Sequence, residues 1–144
     1  MVQRFTADLG PGDYLHRPTP KANCAAWTLG HLALSDRHVL KQLGVELPPL
    51  PEGFDKRFSR DEGCPQAEDF GDVSQILPIF NEHRTRLIEA IKAAPPERFE
   101  KSMEKPHPMF KTFGEYVTFM AAHTAMHVGQ ITIIRRSLGR PPIV

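Results

Sequence analysis

His123 and His127 stand four residues apart in a stretch of helical periodicity, a spacing that sets two side chains about 40° apart around a helix and one turn along it. Both imidazoles can therefore converge on one point. The pair lies within or beside an apolar arc, where a polar ring needs a partner because its desolvation is otherwise unrecovered. A metal ion is one such partner and a hydrogen bond is the other. By itself, His-x-x-x-His on a core stripe fits two hydrogen-bonded core histidines better than it fits a chelating pair.

Upstream, Trp27, His31, Leu34 and His38 fall within about 60° of one another on a helical wheel, while Leu29, Leu32, Ala33, Leu40 and Leu43 fill a different arc interrupted by Asp36. Periodicity does not say which arc faces the interior. If the Trp27/His31 arc does, His31, His123 and His127 bring three neutral imidazoles from two helices to a site with an open metal position. That is the arrangement of catalytic rather than closed structural zinc sites. Imidazole suits zinc, nickel and iron alike, so the ligand type does not choose among them; zinc or nickel is the expected ion.

The remaining candidates carry less. His38, nearly two turns beyond His31, reads as a solvated histidine or a residue lining a pocket, and His16, His83 and His107 sit in loop or polar contexts with no assigned role. Cys24 would have to span about 10 Å of helix to share an ion with His31, so it and Cys64 read as structural thiols. Trp27 reads as core, Gln130 as a hydrogen-bonding neighbour of the histidines, and Arg135, Arg136 and Arg140 as a solvated helix end. Asp36 and Glu115 lie on the relevant helices but point away from the histidines, which leaves no evident general base.

The elements that must position these residues are punctuated by proline: thirteen of the fourteen prolines lie outside the segments of helical periodicity. Those segments predict helices over Val2–Leu9, Cys24–Leu43, about Ser74–Ala94 and Phe113–Leu138, and no run of β-alternation competes with them. Thr112-Phe-Gly-Glu115 is a capping box for the last helix. Phe113, Tyr116, Met120, Ile131, Ile134 and Leu138 form its core-facing stripe. Pro78 falls near the start of the third helix and predicts a kink or a later start. Val45–Gly71, rich in proline and glycine, predicts a long crossover loop with the capacity to cover a site.

Composition bounds the rest. The 144 residues fit a single domain, 1–144, large enough for one real core. A formal net charge of +1 supplies no electrostatic footprint for nucleic acid or an anionic membrane, and no segment approaches the roughly 18 apolar residues of a membrane span. The N-terminus lacks a secretory signal and the two cysteines form no scaffold, so a cytoplasmic protein is expected.

Two blocks, HRPTPKANCAAWTLGHLALSD and HTAMHVGQITIIRRSLGRPP, resemble the DinB-like (YfiT-type) superfamily of bacterial proteins. The resemblance implies an all-α, antiparallel four-helix bundle with a divalent-metal site, His31 coming from WTLGH and His123 and His127 from HTAMHVGQ. The chain departs from that pattern in that only Met1–Leu9 precedes a Gly-Pro-Gly-Asp turn, so that either the first helix is short or the chain starts late. A shortened helix would leave apolar surface on the other three. Together with the two apolar arcs of the second helix, that predicts a homodimer.

Two chemistries fit such a site, and the resemblance supports both: a metal-dependent hydrolase acting on a small molecule, or a transferase that takes a low-molecular-weight thiol as cosubstrate. The missing base favours the thiol route, because a metal-bound thiolate needs less proton traffic than hydrolysis. The rival from another class is a non-catalytic, dimeric metal-binding stress-response protein in which the ion is structural.

Overall fold

A computed structural model describes residues 1–103 and 107–143. Among them the protein is all-α apart from one isolated bridge between Ser102 and Thr112. Three long helices, α2 (Ala25–Gln42), α4 (Ile76–Ala93) and α6 (Phe113–Ser137), carry the fold, and α1 (Val2–Thr6), α3 (Phe54–Arg57) and α5 (Pro96–Glu100) are one- to two-turn segments. No helix among the described residues is long and apolar enough to cross a membrane.

The helix ends follow from the residues expected to make them. Thr112 accepts a hydrogen bond from the Glu115 N–H at 3.2 Å, and the Glu115 carboxylate accepts from the Thr112 and Lys111 N–H groups, completing the capping box. Gly44 and Gly139 take positive φ just beyond α2 and α6, where a side chain would be strained. Pro78 occupies the first turn of α4, whose N–H groups have no intrahelical partner, so the helix starts late, after a single 3₁₀ turn at Val73–Gln75. The first helix ends at Thr6 instead of Leu9, and Leu9 packs separately against Ala25 and Ile134.

Two apolar clusters show how the long helices run. The N-terminal half of α2 (Ala26, Trp27, Leu29, Leu32) shares one cluster with the start of α4 (Ile76, Phe80) and the end of α6 (Val128, Ile131). Val39 and Leu40 share another with Leu87 of α4 and with Phe113 and Met120 at the start of α6. Thus α2 and α4 run in the same direction and α6 runs against both, where the expectation was an antiparallel bundle; the parallel pair requires a connection long enough to return the chain along the helices. Val45–Gly71 is that connection. It is part of the core rather than a cover over it: Phe54, Phe58 and Phe70 are buried, with Phe58 ring centroids 4.5 Å from Phe54 and 6.0 Å from Phe70.

The two arcs of α2 differ in cover: Leu29, Leu32, Ala33, Val39 and Leu40 are fully buried, whereas on the other arc Trp27 is buried, His31 and Leu34 are half-buried and His38 is exposed. The large apolar side chains left in solvent include Met126 and Ile133, on the outer face of α6.

Arg135 and Arg140 correct the sequence reading. Arg135 is 3% exposed; it donates to the Phe5 carbonyl and pairs with Asp8, while Arg140 pairs with Asp13 and lies 3.5 Å from Asp8. They fasten the short N-terminal segment to the end of α6. Only Arg136 of the three is solvated.

Candidate metal centre

The three histidines meet. His31 projects from α2 and His123 and His127 from successive turns of α6, with one donor atom of each lying within 4.8 Å of the others. His123 Nε2 is 3.3 Å from His31 Nε2 and 3.0 Å from His127 Nε2. Each outer ring is oriented by a bond at its other nitrogen. His31 Nδ1 donates to the Phe58 carbonyl at 3.1 Å, and His127 Nδ1 donates to Gln130 Oε1 at 3.0 Å. A carbonyl oxygen can only accept, so in the neutral rings both Nε2 atoms carry lone pairs.

Those two lone pairs face His123 Nε2. A single proton there can satisfy one of them and leaves the other without a donor. A cation at the meeting point satisfies all three nitrogens, so the donor set fits a metal ion better than it fits a hydrogen-bonded trio. His123 Nδ1, buried and without a hydrogen-bond partner, is free to carry the proton that this arrangement requires.

The surroundings keep the imidazoles neutral. Burial pushes His31, His123 and His127 below the ordinary imidazole range, His123 to about 4 with further help from its two histidine neighbours and Arg84. Trp27 stacks on His31 with centroids 4.8 Å apart and planes within 7°, and Phe119 lies against His123 at 6.1 Å. The sequence reading of Trp27 as core is right about its burial but omits its contact with a site residue.

Neither acidic candidate is free. Asp36 is 1% exposed and accepts from Arg84 Nε at 2.7 Å, and Arg84 also donates to Thr124, the neighbour of His123. Burial raises the Asp36 carboxyl to about 6 against the pull of Arg84. Glu115 is engaged by its capping bonds.

The other histidines separate cleanly. His83 is not in a polar context: it is 1% exposed and donates from Nδ1 to the Ala33 carbonyl at 3.0 Å, tying α4 to α2. His16 bonds Ser137 at 2.8 Å, and His107 stacks on Phe110. His38 is exposed, packs edge-on against Tyr116 and lines a cavity of about 420 Å³ with Leu34, Arg37, Lys41 and residues of the crossover on either side of Phe54, among them Leu50, Gly53 and Asp55. Gln130 is where the sequence put it, beside His127. Phe58 is the site residue that sequence reasoning missed, since it acts through a backbone carbonyl in an aperiodic loop.

The family model for the DinB superfamily matches residues 1–131. The chain belongs to the DinB superfamily. The match spans the helix that carries His31 and the part of α6 that carries His123 and His127. No curated protein and no solved structure matches this DinB-superfamily chain.

Proposed function

We propose that this DinB-superfamily protein is a metal-dependent enzyme that holds one divalent ion, zinc or nickel, through His31, His123 and His127, within a four-helix bundle whose first helix is abbreviated to α1. The observation that carries the reading is the pair of oriented lone pairs, His31 Nε2 and His127 Nε2, facing a third imidazole nitrogen. An ion bound there would supply Lewis acidity and lower the pKa of a bound water or thiol. The protein's own contribution is orientation and neutrality: Phe58 and Gln130 fix two of the rings, and burial keeps all three in the neutral form at neutral pH.

Between the two chemistries, the commitment of both acidic side chains favours transfer of a low-molecular-weight thiol to a small electrophile over hydrolysis. Hydrolysis asks for a base to manage water's protons, and Asp36 and Glu115 are already bonded to Arg84 and to the α6 cap. The proposed partner is a second copy of the chain, seated on the outer face of α6. There Met126 and Ile133 are 57% and 59% exposed at a seven-residue spacing, and Gly129 between them has nothing within 4 Å of the position a Cβ would take.

The test is elemental analysis of the purified protein, followed by a screen of thiols with electrophiles and of simple amides and esters. One ion per chain, turnover lost to saturating chelator and recovery on adding zinc or nickel support the enzyme. A stoichiometric ion whose removal unfolds the helices at room temperature supports instead a structural ion in a non-catalytic metal-binding protein, because the leucine and phenylalanine core then depends on it.

A further inference from the structure

The two cysteines, the only two in the chain, come together although forty positions separate them in sequence. Cys24 is the residue immediately before α2 and is fully buried; Cys64 lies in the crossover and is partly exposed. Their sulfurs are 3.8 Å apart, within hydrogen-bonding range for thiols. Arg17 holds the Cys64 segment in place by donating to the carbonyls of Cys64 and Pro65. None of these residues belongs to the histidine cluster.

We propose that Cys64 and Cys24 form a peroxide-reactive thiol pair, Cys64 the attacking sulfur and Cys24 the resolving one, which closes to a reversible intramolecular disulfide. The asymmetry between the two follows from position. Cys64 is open to a small oxidant, whereas Cys24 is reached only from Cys64. The Cys64 sulfur also lies at the positive end of an 18-residue helix and near the Arg17 guanidinium. The hydrogen bond from the Cys24 thiol, its backbone N–H and Arg17 together lower Cys64 to about 6 against the effect of burial, while that same thiol–thiol bond, with burial, raises Cys24.

The chemistry closes with a hydroperoxide as the oxidant. The Cys64 thiolate attacks the terminal peroxide oxygen: the O–O bond breaks, an S–O bond forms, and the alkoxide or hydroxide that leaves takes up a proton. Cys64 is then a sulfenic acid. The Cys24 sulfur attacks Cys64, an S–S bond forms as the S–O bond breaks, and the departing hydroxide carries away the Cys24 proton as water. Two electrons pass from the two sulfurs to the peroxide. A thiol reductant reverses the product by exchange. The cross-link would join the start of α2 to the crossover six residues beyond Phe58, so it closes a ring that contains the Phe58–His31 contact.

The test treats reduced full-length protein with one equivalent of hydrogen peroxide, blocks residual thiols by alkylation and maps tryptic peptides without reduction. The expected result is loss of two hydrogen masses from the monomer and a disulfide joining the peptide 22–37 to the peptide 61–84. Cys24→Ser should stop at a sulfenic acid on Cys64, captured by a dione reagent, and Cys64→Ser should leave Cys24 reduced over the same time. Wild-type protein whose two thiols both remain alkylatable overturns the proposal, as does a cross-link found only between chains. So does Cys64→Ser protein in which Cys24 oxidises as fast as in wild type. The wild-type map decides the matter even where a variant folds poorly.

Discussion

Gly30→Ala tests whether the crossover is built into the metal centre. Gly30 precedes His31 in the interior of α2, where glycine costs about 1 kcal/mol relative to alanine, so propensity alone predicts stabilisation. The structure predicts the opposite. A Cβ at Gly30 would stand 2.4 Å from Cγ and Cδ1 of Phe58 and 2.7 Å from Cε1, whereas carbon atoms in contact sit about 3.5–4 Å apart. The ring has to move by roughly 1 Å, yet it is completely buried and in contact with Phe54 and Phe70. Overpacking of this kind costs about 1–3 kcal/mol, which against the helix gain of about 1 leaves a net loss on the order of 1 kcal/mol. The same shift moves the carbonyl that orients His31, and loss of such a support lowers metal affinity by about 10- to 100-fold.

Urea denaturation and calorimetric titration with zinc measure the two effects separately. Phe58→Leu removes part of the obstructing ring. In a double-mutant cycle, Gly30→Ala should therefore cost less in the Phe58→Leu background than in wild type, by at least about 0.5 kcal/mol. A Gly30→Ala protein as stable as wild type that binds zinc equally well would refute the packing of Phe58 on α2. Strict additivity in the cycle would do the same.

His31→Ala, His123→Ala and His127→Ala should each sharply reduce metal content, whereas His83→Ala should keep the ion and lower unfolding free energy by about 2 kcal/mol through its lost volume and its bond to Ala33; elemental analysis and urea midpoints distinguish the two classes. Chelator-treated protein should lose stability on acidification from pH 7 to 5. His31, His38, His83, His123 and His127 all have lowered folded-state pKa values, so below about 6.5 the unfolded chain binds protons that the folded one does not. Cys64, lowered to about 6, acts in the same sense, because the unfolded thiol stays protonated throughout that range. Asp36, raised to about 6, acts in the opposite sense between its unfolded value and that pH, but it is one group against six, and urea midpoints that stay flat or rise towards pH 5 would contradict these shifts. Sedimentation at micromolar concentration should give twice the chain mass and Ile133→Arg should halve it; a wild-type monomer would sink the dimer.

What was legible in the sequence and what was not divides along a physical line. The meeting of the three histidines was legible in part: side chains on helices repeat every 3.6 residues, so His123 and His127 declare a shared face and Trp27 and His31 another, but only the family resemblance turned that second face towards the first. Gln130 was legible for the same reason, lying three residues after His127. Pro78, Gly44, Gly139 and the Thr112–Glu115 box likewise acted through their own local backbone, and the helix limits they set were met within one or two residues. His83 and Arg135 were misread because a polar side chain gives no sign of burial when its partner is a carbonyl elsewhere in the fold, Ala33 for one and Phe5 for the other. Asp36 left a clue, interrupting an apolar arc, but its partner Arg84 lies 48 positions away on another helix.

The crossover shows why a local pattern underdetermines this site. Its prolines and glycines exclude a long helix, and from that alone it reads as a loop that lies over something. Phe54 and Phe58 stand four residues apart across the single turn of α3, and Phe70 stands alone, a pattern too short to declare a buried face, yet all three are buried. Burying them fixes the loop backbone, and fixing the backbone presents the Phe58 carbonyl to His31 Nδ1. Hydrophobic burial in the loop thus sets the tautomer of an imidazole on α2, and with it the lone pair directed at His123. The donors come from two helices, but the direction of one of them depends on a third segment whose contribution is a backbone atom. Substitutions in the loop that preserve apolar volume at position 58 should therefore be tolerated more readily than polar ones, even though the side chain there is not itself the atom that orients His31.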